Sequence, residues 1–180
     1  MVYILLGTGF EEIEALTPVD LLRRAKVEVL TVGINGKTVF GGHGIGVEAD
    51  IAPEDMDLTQ MDMIVLPGGL GGVASIRGCA QAMEAVRFAW ENGKYVAAIC
   101  AGPTVLADLG ITDGKNATCY PGCEGGMGSA NMIPNAASVT DGKLITGTSA
   151  GCATAFALAL ITALKGEAVA NTVAEQIVLR

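Results

Sequence analysis

The chain has 180 residues, 51% of them hydrophobic, which is enough for one domain with a sizeable core and too apolar for a disordered chain. Its 19 acidic residues against 11 basic ones leave a net charge of −8, which argues against a nucleic-acid backbone as the main partner. No apolar run approaches the ~20 residues that span a bilayer, and the start lacks the charged segment, apolar stretch and cleavage site of a secretory signal. The expectation is therefore a cytoplasmic chain, 1–180, folded as a single domain with no membrane partner.

In chain order, the pattern predicts a strand over Val2 to Leu6 and a helix over Glu12 to Arg24. Pro18 falls inside that helix. Thr17-Pro18 reads as a fresh N-cap with proline at the first helical position, so Glu11 to Leu16 is expected as a separate turn that aims Glu14 toward the strand ends. A second strand follows over Val27 to Val32. Lys37 to Phe40 and Gly46 to Ala49 flank the Gly41-Gly42-His43-Gly44 turn of a hairpin. Met63 to Leu66 is a third core strand that runs into the glycine-rich loop 67–72. A helix is predicted over Ala80 to Glu91, a buried strand over Tyr95 to Ile99 and a helix over Thr104 to Leu109. The Asp141-Gly142 turn joins a second hairpin. Ala150 to Leu164 and Glu167 to Glu175 complete the chain as helices. Strands alternating with helices imply a mostly parallel sheet covered on both faces.

Five cysteines are present, an odd number, and a reduced setting suits them better than a disulfide framework. Cys119-Tyr120-Pro121-Gly122-Cys123 has half of a metal clip, but neither a second pair nor a nearby histidine completes it, so no metal is expected. Cys100 is different. It follows a buried strand and precedes a helix, at the carboxyl end of the predicted sheet. The small residues Ala101 and Gly102 let the chain turn sharply and bring amides toward the sulfur, as in a nucleophile elbow. Two readings stand for such a cysteine: an inert buried thiol, or a nucleophile whose thiolate the local amides favour. The reactive reading predicts a thiol pKa well below the free value of ~8.5, provided Glu14 carries a proton when the thiolate forms.

Ligands bind outside the carboxyl ends of strands in open α/β sheets. Three segments fall there: Gly7 to Glu14, the 67–72 loop, and Cys100-Ala101-Gly102. Gly7-Thr8-Gly9 lacks the third glycine of a dinucleotide fingerprint, and Glu11 and Glu12 would repel a pyrophosphate, so a nucleotide site is excluded. The glycine-rich loop at 68–72 reads either as a turn with positive φ angles or as an exposed amide that joins Ala101 N–H in an oxyanion hole.

Glu11-Glu12-Ile13-Glu14, Pro18-Val19-Asp20, Leu66-Pro67-Gly68-Gly69 and above all Ala97-Ala98-Ile99-Cys100-Ala101-Gly102-Pro103 resemble the ThiJ/PfpI superfamily, within it the parkinsonism-associated deglycase group. Thr118-Cys119-Tyr120-Pro121 and Phe156 to Leu160 extend the resemblance over nearly the whole chain. The resemblance implies a flavodoxin-like three-layer sandwich, akin to class I glutamine amidotransferases, and a homodimer. It implies that Cys100 is an oxidation-sensitive nucleophile, that Glu14 hydrogen-bonds its sulfur, and that Gly69 and Ala101 supply backbone donors, with Gly68, Cys119 and Tyr120 lining the site or, for Cys119, resolving an oxidised Cys100. The implied activity is cofactor-free: a glutathione-independent glyoxalase or deglycase acting on methylglyoxal or glycated adducts. An oxidative-stress sensor or chaperone-like protective protein using oxidation of Cys100 is the alternative.

The chain also departs from the family. Ala101 stands where the protease-like branch has a histidine, Tyr120 stands where the parkinsonism-associated protein has one, and Thr148 replaces an expected arginine. No triad histidine follows, which disfavours a peptidase. The sole histidine, His43, lies in a hairpin that in relatives reaches toward the partner subunit's site, which makes it a candidate for a site shared between subunits.

Overall fold

The structure, a computed structural model, describes residues 1–180. Its strands and helices are β1 (Val2–Leu6), α1 (Glu12–Arg24), β2 (Val29–Gly33), β3 (Thr38–Phe40), β4 (Gly46–Glu48), β5 (Met63–Leu66), α2 (Leu70–Gly78), α3 (Ala80–Glu91), β6 (Tyr95–Ile99), α4 (Pro103–Asp108), β7 (Asn116–Ala117), β8 (Asn131–Met132), β9 (Ser138–Asp141), β10 (Leu144–Gly147), α5 (Ala153–Lys165) and α6 (Glu167–Gln176). Six strands form one sheet in the order β2-β1-β5-β6-β10-β9. All neighbours pair parallel except β9, which returns antiparallel against β10 through the Asp141-Gly142 turn. The expected flavodoxin-like α/β sandwich is therefore the observed fold.

Both faces of the sheet are covered, so its central strands are apolar throughout. Val2, Ile4 and Leu6 of β1 point to one side, where α1, α5 and α6 bury them with Phe156, Leu160 and Ile161. Tyr3 and Leu5 point to the other side, against α2, α3 and α4 with Val73, Val86 and Val105. Successive residues of a strand alternate faces, which is why an unbroken apolar run serves two cores at once. No helix is long and apolar enough to cross a membrane.

The expected break at Pro18 does not occur. α1 runs continuously through it, and its N-cap is Glu11, whose Oε2 accepts from Glu14 N–H at 2.8 Å. An internal proline costs a helix ~3 kcal/mol. Burying Ala15, Val19, Leu21 and Leu22 outweighs this, since each large apolar side chain gains ~1.5–3 kcal/mol. A second difference lies at residues 70–78, a helix that begins inside the segment read as a loop. A third is the short parallel pair β7–β8, which carries too few residues for a sequence pattern.

The register aligns the carboxyl ends of β5, β6 and β10: Leu66 faces Ala98, and Ile99 faces Gly147. The chain leaves β1 toward β2 on one side and returns to β5 on the other, so the order in which strands are added reverses between β1 and β5. That is where a doubly wound sheet opens a crevice. Fully buried Phe156 anchors α5 beneath it. Phe156→Ala is expected to cost ~3–5 kcal/mol of unfolding free energy in urea titrations, the usual range for deleting a buried aromatic ring.

Candidate active site

Cys100 directly follows β6, with φ +65°. A side chain held in the left-handed region is uncommon and costs energy, and it turns the thiol out over the strand ends. Its own N–H donates to Gly147 O at 3.0 Å, and its carbonyl accepts from Tyr120 N–H at 2.9 Å, so both neighbouring segments clamp the turn. Gly102 is required by close approach: a Cβ there would sit 2.6 Å from Leu66 O.

Glu14 comes from the first turn of α1 and is 1% exposed. Gly68 N–H donates to its Oε2 at 2.9 Å. The carboxyl and the thiol converge on Gly68, where a Cβ would lie 2.5 Å from Glu14 Oε2 and 2.9 Å from Cys100 Sγ. Gly69, at φ +84°, turns its amide toward the sulfur, and Ala101 N–H approaches from the other side. The structure thus gathers Cys100, Glu14, Gly68, Gly69 and Ala101 at one point.

Burial pushes Glu14 up to about 7; the donors from Cys100 and Gly68 oppose the rise, and the nearby Glu11 charge adds to it. Burial and then the Glu14 carboxylate push the Cys100 thiol up to about 12, against the pull of the Ala101 and Gly69 amides. A low thiol pKa is expected only with Glu14 protonated; the structure adds burial as the largest influence, which raises the thiol, and an ionised Glu14 raises it further. The two groups titrate as a pair. The state that the site disfavours is the doubly deprotonated one, two negative charges in a buried space. Between about 7 and about 12 the pair holds one proton, on the carboxyl with a thiolate facing two amides, or on the thiol; below about 7 it holds two.

The remaining candidates lie around this point. Tyr120 is 48% exposed at its edge. Cys119, next to Tyr120 in sequence, donates its thiol to Tyr120 O at 3.5 Å and lines a separate cavity of about 180 Å³ with Thr118, Met132 and Thr148, and Cys100 is not in that lining. Burial raises the Cys119 thiol to about 11. All five cysteines are free thiols. Thr148, at the place of the expected arginine, bonds Thr118 Oγ1 at 2.8 Å and donates to Ala136 O.

His43 is held within its own chain by Glu12. Its backbone N–H donates to Oε1 at 2.8 Å, and its Nδ1 meets Oε2 at 2.8 Å. The hydrogen bond and charge of Glu12 raise His43. Glu12 is lowered: burial alone would raise it, but the donors from His43 outweigh that. This pair ties the β3–β4 hairpin to α1 and escapes sequence reading because its members are 31 residues apart. Glu11, Glu12 and His43 have ligand-type atoms within 4.8 Å of one another, yet both Glu12 oxygens already accept from the hairpin and Glu11 caps α1.

The raised Glu14 has a consequence for stability. Between about 4.5, the value in an unfolded chain, and about 7, the folded state holds a proton that the unfolded chain has lost. Stability from this group therefore declines as pH rises through that interval, by about 3 kcal/mol in all. In Glu14→Gln the decline disappears, so the variant gains on the wild type from pH 4.5 to 7 in urea titrations; His43 titrates alike in both and cancels. The same variant should lower the thiol pKa, read as thiolate absorbance against Cys100→Ser.

Residues 1–163 match the DJ-1/PfpI family. The fold superimposes on the crystal structure of Drosophila melanogaster DJ-1beta with a TM-score of 0.95 at 32% identity, covering 99% of this chain and 97% of that one. The structure of oxidized Toxoplasma gondii DJ-1 aligns with a TM-score of 0.93 at 30% identity over 98% and 97% of the two chains. A deglycase of Pyrococcus abyssi is 33% identical over 146 residues, 81% of this chain and 87% of its own length.

Proposed function

Because the chain belongs to the DJ-1/PfpI family, we propose that it is a cysteine-dependent glyoxalase or deglycase whose nucleophile is Cys100 and whose proton carrier is Glu14. The observation that carries this reading is the confinement of a thiol and a buried carboxyl against Gly68, with the amides of Gly69 and Ala101 facing the sulfur. The deglycase name of the Pyrococcus abyssi relative supports it.

The chemistry follows from the single shared proton. With the proton on Glu14, the Cys100 thiolate adds to the aldehyde carbon of methylglyoxal and forms a hemithioacetal. The oxyanion develops beside the Gly69 and Ala101 amides and takes the Glu14 proton. The carboxylate so produced removes the hydrogen from the former aldehyde carbon and delivers it to the neighbouring carbonyl carbon through an enediol. The first carbon is thereby oxidised to a thioester and the second reduced to an alcohol. Water cleaves the thioester, releasing lactate and restoring the thiol and one proton. No external oxidant or reductant enters.

A second reading rests on the same geometry and on the oxidized Toxoplasma relative. Cys100 is half-buried rather than sealed, and a thiolate there can be oxidised by peroxide to sulfinate, with protonated Glu14 donating to a sulfinate oxygen. The two readings separate experimentally. Methylglyoxal consumption and lactate formation should be lost in Cys100→Ser and fall about 10²-fold in Glu14→Gln, the usual scale for a general acid–base. Wild-type turnover no greater than that of Cys100→Ser would remove the enzyme reading, and mass spectrometry of peroxide-treated protein then tests the sensor: a gain of two oxygens confined to Cys100 supports it.

The proposed assembly is a homodimer through the outer face of α1 and the β3–β4 hairpin. Ile13, Phe40 and Ile45 are 54%, 55% and 53% exposed there, and Ile13 and Ile45 border a shallow cavity of about 420 Å³. A second copy covers this surface and brings the free Nε2 edge of His43 toward the neighbouring site. Ile13→Glu should therefore give a monomer by sedimentation. Mixing Cys100→Ser with His43→Ala protomers should restore part of the activity if the site is shared; full activity in His43→Ala would leave His43 only its structural bond to Glu12.

A further inference from the structure

A cavity of about 630 Å³ lies at the amino ends of the strands, the end of the sheet away from Cys100. Its rim consists of the connections that enter β1, β2, β5, β6 and β10. Backbone bonds lock them together: Val2 N–H to Glu28 O at 2.8 Å, Asp62 N–H to Met1 O at 2.8 Å, Tyr95 N–H to Asp62 O at 3.0 Å and Val96 N–H to Lys143 O at 2.9 Å. The cavity is therefore preformed. Its volume is within the ~300–1,000 Å³ of small-molecule sites.

Its charge is opposite to that of the chain. The protein carries 19 acidic residues and only six lysines, and four of these, Lys26, Lys94, Lys143 and Lys165, line this one cavity. The two lysines elsewhere are neutralised: Lys37 pairs with Glu48 at 2.8 Å and Lys115 with Asp141 at 3.5 Å. None of the cavity lysines has an ion-pair partner. The lining holds two carboxylates, Glu28 and Asp62, and Asp62 already pairs with the Met1 amino group at 2.5 Å.

Folding explains half of this grouping. Lys26 follows α1 and Lys165 ends α5, where positive charge complements a helix dipole by ~0.3–1 kcal/mol. Lys94 and Lys143 sit in turns between elements and have no such reason. Lys143 lies 3.7 Å over the Tyr95 ring, which holds its ammonium at the cavity wall. Four lysines and the Met1 amino group against two carboxylates, Glu28 and Asp62, leave a net positive lining, and an anion placed among the lysines relieves their repulsion and is drawn in by the local field.

We propose that this cavity binds a small, multiply charged anion, a phosphorylated or polycarboxylic metabolite, at the end of the sheet opposite the reactive cysteine. Pyrophosphate and citrate are suitable probes for the two sources of that charge, titrated calorimetrically at constant ionic strength. At least one should bind saturably to the wild type, and whichever binds identifies the class. The Lys94→Gln/Lys143→Gln variant should lose at least about tenfold in affinity. The Lys37→Gln/Lys115→Gln variant, matched in net charge, should retain wild-type affinity. Both pairs lie in surface turns and strand ends, and circular dichroism confirms that each variant is folded. Absence of saturable binding with both probes overturns the proposal, as does an equal loss in the two variants, which would reduce the effect to net charge.

Discussion

The site depends on one confinement: a carboxyl and a thiol share a buried space whose third wall is Gly68. Neither group is unusual alone. Together they exclude the doubly ionised state, because two negative charges in a poorly solvated space repel strongly. That exclusion leaves one proton on the pair from about 7 upward, with Glu14 raised to about 7 and Cys100 to about 12. A nucleophile and a proton carrier are thus made from two acids, and the proton that one gives up is the one the other needs.

The surrounding structure serves this confinement. The left-handed Cys100 lifts the sulfur off the end of β6, and the Gly147 and Tyr120 backbone bonds hold it there. α1 begins at the carboxyl end of β1, and its Glu11 cap orients the first turn so that Glu14 points inward while Ile13 points outward. Gly68 can have no side chain because the space is already occupied. Gly69 must adopt positive φ to present its amide, and its φ also starts α2, so the loop and the helix have one cause. The two ends of the sheet carry opposite character. The carboxyl ends gather acids around a thiol, and the amino ends gather lysines around an open cavity.

Electrostatics also corrects a simple reading of the elbow. Amides that face a sulfur favour thiolate, and from the strand-to-helix position alone a low pKa follows. The structure adds two larger influences, burial and the Glu14 carboxylate, that act in the opposite direction. Which form of Cys100 is present is therefore decided by where the shared proton resides, not by the elbow alone.

Much of this was legible in the chain. The run Tyr95 to Ile99 is too apolar to be anything but buried, and Cys100-Ala101-Gly102-Pro103 has the small residues and the proline that turn a strand into a helix. Strand order, with helices between, required a parallel sheet, and the carboxyl ends of its strands marked three segments, 7–14, 67–72 and 100–102, within which the family resemblance singled out Glu14, Gly69 and Ala101. These are local patterns, set by side-chain periodicity and backbone sterics over a few residues. The tertiary structure alone decided what depends on distant partners. It carried α1 through Pro18, because the sheet buries that helix's face more favourably than proline disrupts it. It joined His43 to Glu12 across 31 residues, and it placed Cys119 in the lining of a cavity that Cys100 does not share. It also collected four lysines from positions 26, 94, 143 and 165 around one cavity. Charge and burial act through space, and a linear pattern records neither the distance nor the dielectric that sets their strength.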